Sequence, residues 1–98
     1  MARVKLAPEL QDDFDRICDH LSAHDAEDVR GRIQEIIHAI DVLQYNPLIG
    51  RVASADTREL IIGRGVRGYV ALYRYIEAAD TVFVLAIRGQ REAGYERD

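Results

Sequence analysis

The chain has 98 residues, 48% of them apolar, with a formal charge of −4. That size and apolar content suit one domain over 1–98 and argue against general disorder. The lone Cys18 excludes an internal disulfide, and the negative charge argues against a general nucleic-acid binder, so no direct DNA binding by the chain alone is expected.

"MARVKLAPELQDD" meets acidic residues before any long apolar run, so neither a leader nor a membrane span is expected and the expected setting is the cytoplasm. Within it, "ARVKLA" alternates, with Val4 and Leu6 on one side and Arg3 and Lys5 on the other, as in a short strand. Pro8 suits the first turn of a helix, and Glu9, Asp12 and Asp13 favour its N-terminal dipole. Leu10, Phe14, Ile17 and Leu21 then form one apolar stripe, flanked by Cys18, which is read as a packing residue.

"SAHDAED" interrupts the stripe, and Asp25 is the expected N-cap of a second helix. Val29, Ile33, Ile36, Ile37, Ile40 and Leu43 mark its apolar face, and "YNP" ends it. The two helices make an antiparallel hairpin. His20, His24 and His38 lie in this half without metal-ligand spacing, so no metal or other cofactor is expected.

After "NPLIGR" the period changes. "RELIIGR", "GYVALYRYI" and "TVFVLAIR" read as strands, and their short connections make them an antiparallel meander. The expected fold is α+β, in the order β-α-α-β-β-β, with the helical hairpin packed on a small, mainly antiparallel sheet. In the middle strand, Val70, Leu72, Arg74 and Ile76 share one side, and Tyr69, Ala71, Tyr73 and Tyr75 the other. The aliphatic side is the better match for the helices, with Arg74 in conflict. Either Arg74 reaches past the core edge or the faces are reversed.

Charge is uneven along the chain. Residues 1–50 carry five cations and ten anions, and residues 51–98 carry eight arginines and seven acids. "GRGVRG" has the glycines of a phosphate loop but lies between strands, so a turn is the better reading.

The stretch "NPLIGR…TRELIIGRGVRGYVALYRYIEAADTVFVLAIRGQREAGY" resembles the RelE/ParE superfamily of toxins from bacterial toxin–antitoxin pairs. The likeness rests on Pro47, Gly50 and Arg51, then Arg58-Glu59-Leu60, then Gly68-Tyr69 leading to Leu72-Tyr73-Arg74, then Val84-Leu85-Ala86-Ile87-Arg88 with Gln90-Arg91-Glu92. It covers essentially the whole chain. The resemblance implies a toxin held inactive by a cognate antitoxin, whose tail wraps the toxin's helices and sheet.

Two activities occur in that superfamily, and fold does not choose between them. RelE-like members cut mRNA on the ribosome, and ParE-like members poison DNA gyrase without a nuclease site. This chain is acidic, has Val70 where RelE-like sequences have an arginine after the glycine-tyrosine, and has Gly89 where many relatives have a histidine. The ParE-like reading is therefore favoured, with gyrase as partner and Arg58, Arg64, Arg74, Arg88, Arg91 and Tyr95 as target-binding residues. The alternative is a nuclease in which Arg67, Arg74, Arg88 and Arg91 hold a phosphate and Glu92 or Tyr95 transfers the proton. A third reading is a toxin-fold protein that only binds an antitoxin.

Overall fold

The structure is a computed structural model. It describes residues 1–24, 28–63 and 68–90, with only the backbone of His24. Strand β1 (Arg3–Leu6) is followed by helices α1 (Leu10–His24) and α2 (Val29–Val42). Then come β2 (Arg51–Val52), β3 (Arg58–Ile62), β4 (Tyr69–Ile76), a 3-10 turn (Glu77–Ala79) and β5 (Thr81–Gly89). The sheet order is β1-β5-β4-β3-β2. All neighbours are antiparallel except β1, which runs parallel to β5. The expected architecture is observed, with the two-residue β2 added at the far edge.

Both helices lie on one sheet face, α1 against β5 and α2 towards β3. The α1 stripe is buried as its spacing requires: Leu10, Ile17 and Leu21 are inside, and Phe14 is partly so. On α2, Ile36, Ile40 and Leu43 are buried, whereas Ile37 is 46% exposed. The expected cap Asp25 lies outside the described residues. Asp28 occupies the N-cap position without a capping hydrogen bond, and its carboxylate takes the Arg32 Nε–H at 3.0 Å instead. No described helix is long and apolar enough to cross a membrane.

The faces of β4 are the reverse of the favoured assignment. Tyr69, Ala71 and Tyr73 are buried under the helices, with Tyr75 packed against them. Arg74 is exposed, on the face that carries Val70, Leu72 and Ile76. Arg74 on the helix side would be a desolvated charge, whereas a buried tyrosine fills volume and needs one partner for its hydroxyl. That partner is supplied, since the Gly50 N–H donates to the Tyr73 hydroxyl at 2.8 Å.

An irregularity between Leu72 and Tyr73 pairs them with Ala86 and Val84, so that two residues of β4 span three of β5. Strict alternation would group Phe83, Leu85 and Ile87. The bulge at Leu85 instead puts Val82, Val84 and Ile87, all fully buried, on the helix side. It also leaves Ala86 and Arg88 on the outer face.

Candidate functional site

The outer sheet face carries an apolar centre edged by cations, in which Val70 and Ala86 are buried and Leu72, Ile76 and Phe83 are half-buried. Register places Arg3, Lys5, Phe83, Ala86 and Arg88 on it from β1 and β5. Val70, Leu72, Arg74 and Ile76 come from β4, Glu59 and Ile61 from β3, and Arg51 from β2. Arg51 and Glu59 are paired at 3.1 Å. The helical layer is acidic in contrast, with Glu9, Asp12, Asp15 and Asp19 on or before α1. The charge imbalance between the two halves of the sequence thus becomes an imbalance between two layers.

Of the predicted target residues, Arg74 and Arg88 share this face. Arg88 pairs with Val70, four residues before Arg74 on β4, so the two arginine backbones are roughly 13 Å apart along the strand direction. Their guanidiniums also have different partners. Arg74 lies 3.7 Å from Asp56, a weak exposed pairing. Arg88 donates back to the carbonyl of Gly89 at 3.1 Å. Arg58 is on the other side of the sheet, where it donates to the carbonyls of Leu48 (3.1 Å) and Gly50 (2.8 Å). Arg64, Arg67, Arg91, Glu92 and Tyr95 lie outside the described residues.

The strand that delivers Arg88 is held by a device that the spacing did not reveal. Beyond Val84, whose carbonyl takes the Ala7 N–H, β1 no longer covers the edge of β5. Asp13, fully buried on α1, accepts the Ile87 N–H at 2.9 Å and the Arg16 guanidinium at 2.9 Å. Arg16 in turn donates to the Ile87 carbonyl at 3.1 Å. The pair therefore offers one acceptor and one donor to one residue, as a neighbouring strand would. Its only sequence signal, Asp and Arg three apart, is that of an ordinary helical ion pair.

Two separated motifs meet at the other end of β4. The Gln90 N–H donates to the Gly68 carbonyl at 3.0 Å, and the Gln90 carboxamide lies where a side chain at Gly68 would be. The glycine of Gly68-Tyr69 is thus the residue that gives Gln90 its place.

A polar knot secures the α2–β2 connection. Besides the Gly50–Tyr73 bond and the two Arg58 bonds, the Ile49 N–H donates to the Asn46 carbonyl at 3.1 Å. A Cβ on Gly50 would lie 2.7 Å from the Tyr73 ring and hydroxyl and 2.8 Å from the Glu59 carbonyl, so only glycine fits. Burial pushes the Tyr73 phenol above its ordinary 10.0, against the opposing pull of the Gly50 bond and Arg58. The folded chain therefore holds this proton more tightly than the unfolded chain. Stability is intact below the ordinary value and falls as pH climbs through it towards the folded value. Tyr73→Phe is expected to flatten that alkaline decline in urea titrations. At neutral pH it should cost about 1–3 kcal/mol, because the Gly50 N–H loses its acceptor.

On the helix side, a groove of about 540 Å³ runs between β1 and the hairpin. Val4, Leu6, Phe14, Ile37 and Ile40 make it apolar, and Arg3 and Asp41 stand at its rim. Leu6 is 53% exposed and Ile37 46%. Among the described residues no strand lies beside the outer edge of β1, which ends the sheet.

The description ParE toxin of type II toxin-antitoxin system, parDE, belongs to a family whose sequence model matches residues 4–94. The chain belongs to the ParE toxin family. A chain of the chromosomal ParDE TA system from P. aeruginosa is similar to this ParE-family chain in fold, with TM-score 0.75 and 24% identity. The match covers 91% of this chain and 96% of that one. No curated protein matches. The two-helix arrangement of this ParE-family toxin on a mainly antiparallel sheet is thus the one that the sequence pattern led to, with β2 as a fifth strand that it did not.

Proposed function

We propose that this toxin acts by binding and inhibiting DNA gyrase, and that a cognate antitoxin neutralises it. The observation that carries the reading is the outer sheet face. Leu72, Ile76 and Phe83 leave part of their apolar surface open on it, while Val70 and Ala86 are buried, and the two expected target arginines that share this face, Arg74 and Arg88, are bonded away from one another. A surface of that kind suits protein contact, where arginine and aliphatic anchors supply affinity. A phosphate-cleaving centre needs its cations converged on one point.

The test is expression of the chain alone, scoring growth, gyrase supercoiling and transcript integrity. Loss of supercoiling with intact transcripts is the expected result, and codon-phased cuts in mRNA would sink the proposal. Arg88→Ala is expected to weaken inhibition about tenfold or more, with an unchanged circular dichroism spectrum.

The antitoxin's place is the groove beside β1. It offers an apolar channel for one face of an amphipathic segment and an open strand edge for backbone pairing. Co-expression with the partner is expected to rescue poor expression of the isolated chain.

A further inference from the structure

Strand β1 ends the sheet with a backbone edge and a charge pattern that together specify what can lie beside it. The Arg3 and Ala7 N–H groups donate to the carbonyls of Asp80 and Val84, each at 2.9 Å. Bonding direction alternates along a strand, so Val4 and Leu6 turn their N–H and C=O groups the other way, to the edge that no described strand covers. The Ala2 N–H also points that way and is taken by the Gln44 carbonyl at 2.8 Å. The turn after α2 therefore closes one end of the edge, and the groups of Val4 and Leu6 are left for an added strand.

Side chains alternate with the same period. Val4 and Leu6 share the helix side with Val82 and Val84 and line the groove. Arg3 and Lys5 are exposed on the outer face. Lys5 heads a row across three strands, Lys5–Phe83–Arg74, so the charge on this face beside β1 is positive. Asp80, whose carbonyl holds the Arg3 N–H, accepts the Tyr75 hydroxyl with its carboxylate at 2.7 Å. Among the described residues no carboxylate pairs with either β1 cation. A second copy of β1 is a poor occupant, because pairing would set Arg3 and Lys5 against the same cations. A wholly apolar strand would leave both charges unmatched.

We infer that the antitoxin segment seated on β1 is an extended strand in which apolar and acidic residues alternate. Its apolar residues, opposite Val4 and Leu6, enter the groove beside Phe14 and Ile37. Its carboxylates fall on the outer face, beside Arg3 and Lys5. Side chains directly opposite in paired strands have Cβ atoms ~5 Å apart, within reach of an ion pair. The faces are the same whichever way the added strand runs, since alternation does not depend on direction. Backbone bonds give affinity to any extended segment, and the two cations choose among segments. This alternation rests on the antitoxin's place in the groove, and it makes Arg3 and Lys5 the residues that select the partner.

Titration calorimetry of the purified cognate antitoxin against the parent chain, Leu6→Asp, and a double variant with Arg3→Glu and Lys5→Glu tests it. The double variant is expected to bind about tenfold more weakly or worse, with a deficit that shrinks as salt rises. Arg3→Lys with Lys5→Arg keeps both charges and should bind as the parent does. In the complex, the Val4 and Leu6 amides should gain protection from hydrogen exchange, whereas those of Arg3 and Ala7, already bonded to β5, should change little. Weakening by Leu6→Asp without weakening by the charge reversal would leave the antitoxin in the groove and overturn selection by Arg3 and Lys5. Equal binding by all three chains would remove the groove reading and the alternating strand together. Unprotected Val4 and Leu6 amides in the complex would rule out the added strand.

Discussion

Asp13→Ala is expected to lower the unfolding free energy by about 3–5 kcal/mol, the usual cost of removing one partner from a buried ion pair. Two losses add. The Ile87 N–H, 2.9 Å from the carboxylate, is left without its buried acceptor. Arg16 loses its counter-charge while its own bond to the Ile87 carbonyl depends on that alignment. Asp13→Asn keeps an acceptor for Ile87 and gives up only the charge, so it should lose less than half as much. Urea midpoints at constant slope check both values. Hydrogen exchange adds the location. Amides of β5 near Ile87 should exchange faster in Asp13→Asn, while those at Val82 and Val84, which β1 still covers, should not. Equal stability of Asp13→Ala and the parent would mean that the contact is not what holds the end of β5.

Leu6→Asp is expected to weaken antitoxin capture by at least about 2 kcal/mol, a factor of roughly 30. Leu6 is half exposed at the groove and contributes little to the core, so the substitution should barely alter the free chain's stability. In the complex, by contrast, a carboxylate would be desolvated against Phe14 and Ile37 without a partner. Titration calorimetry with the purified antitoxin measures the change, and Leu6→Val, which stays apolar, should retain most of the affinity. In cells the same variant should remain toxic when the antitoxin is co-expressed. Unchanged affinity would move the antitoxin's site away from β1.

Much of this architecture was legible from residue order. The spacing of Leu10, Ile17 and Leu21 on α1, and of Ile36, Ile40 and Leu43 on α2, needed only a period near 3.6 and one sheet to cover. The meander followed from short connections between β-rich runs. The candidate surfaces were less legible. Arg58, Arg74 and Arg88 look equivalent as letters, yet one ties down a loop and the other two stand on the opposite face. Ile37 obeys the helical period and is still exposed, because it lines the groove beside β1.

The sequence by itself determined the family, the order of all elements but the short β2, and the apolar stripes of the two helices apart from Ile37. All three depend on local periodicity and on motifs read along the chain. Tertiary structure alone decided which face of β4 is inside, and the reason is one of partners. Tyr73 becomes a core residue only because Gly50, 23 positions earlier, brings its N–H to the phenol. Likewise Asp13 becomes a substitute strand only because β5 outruns β1 and exposes Ile87, 74 positions away. Such pairings leave no periodic trace, since the residues that satisfy a buried polar group are chosen by the fold and not by their spacing.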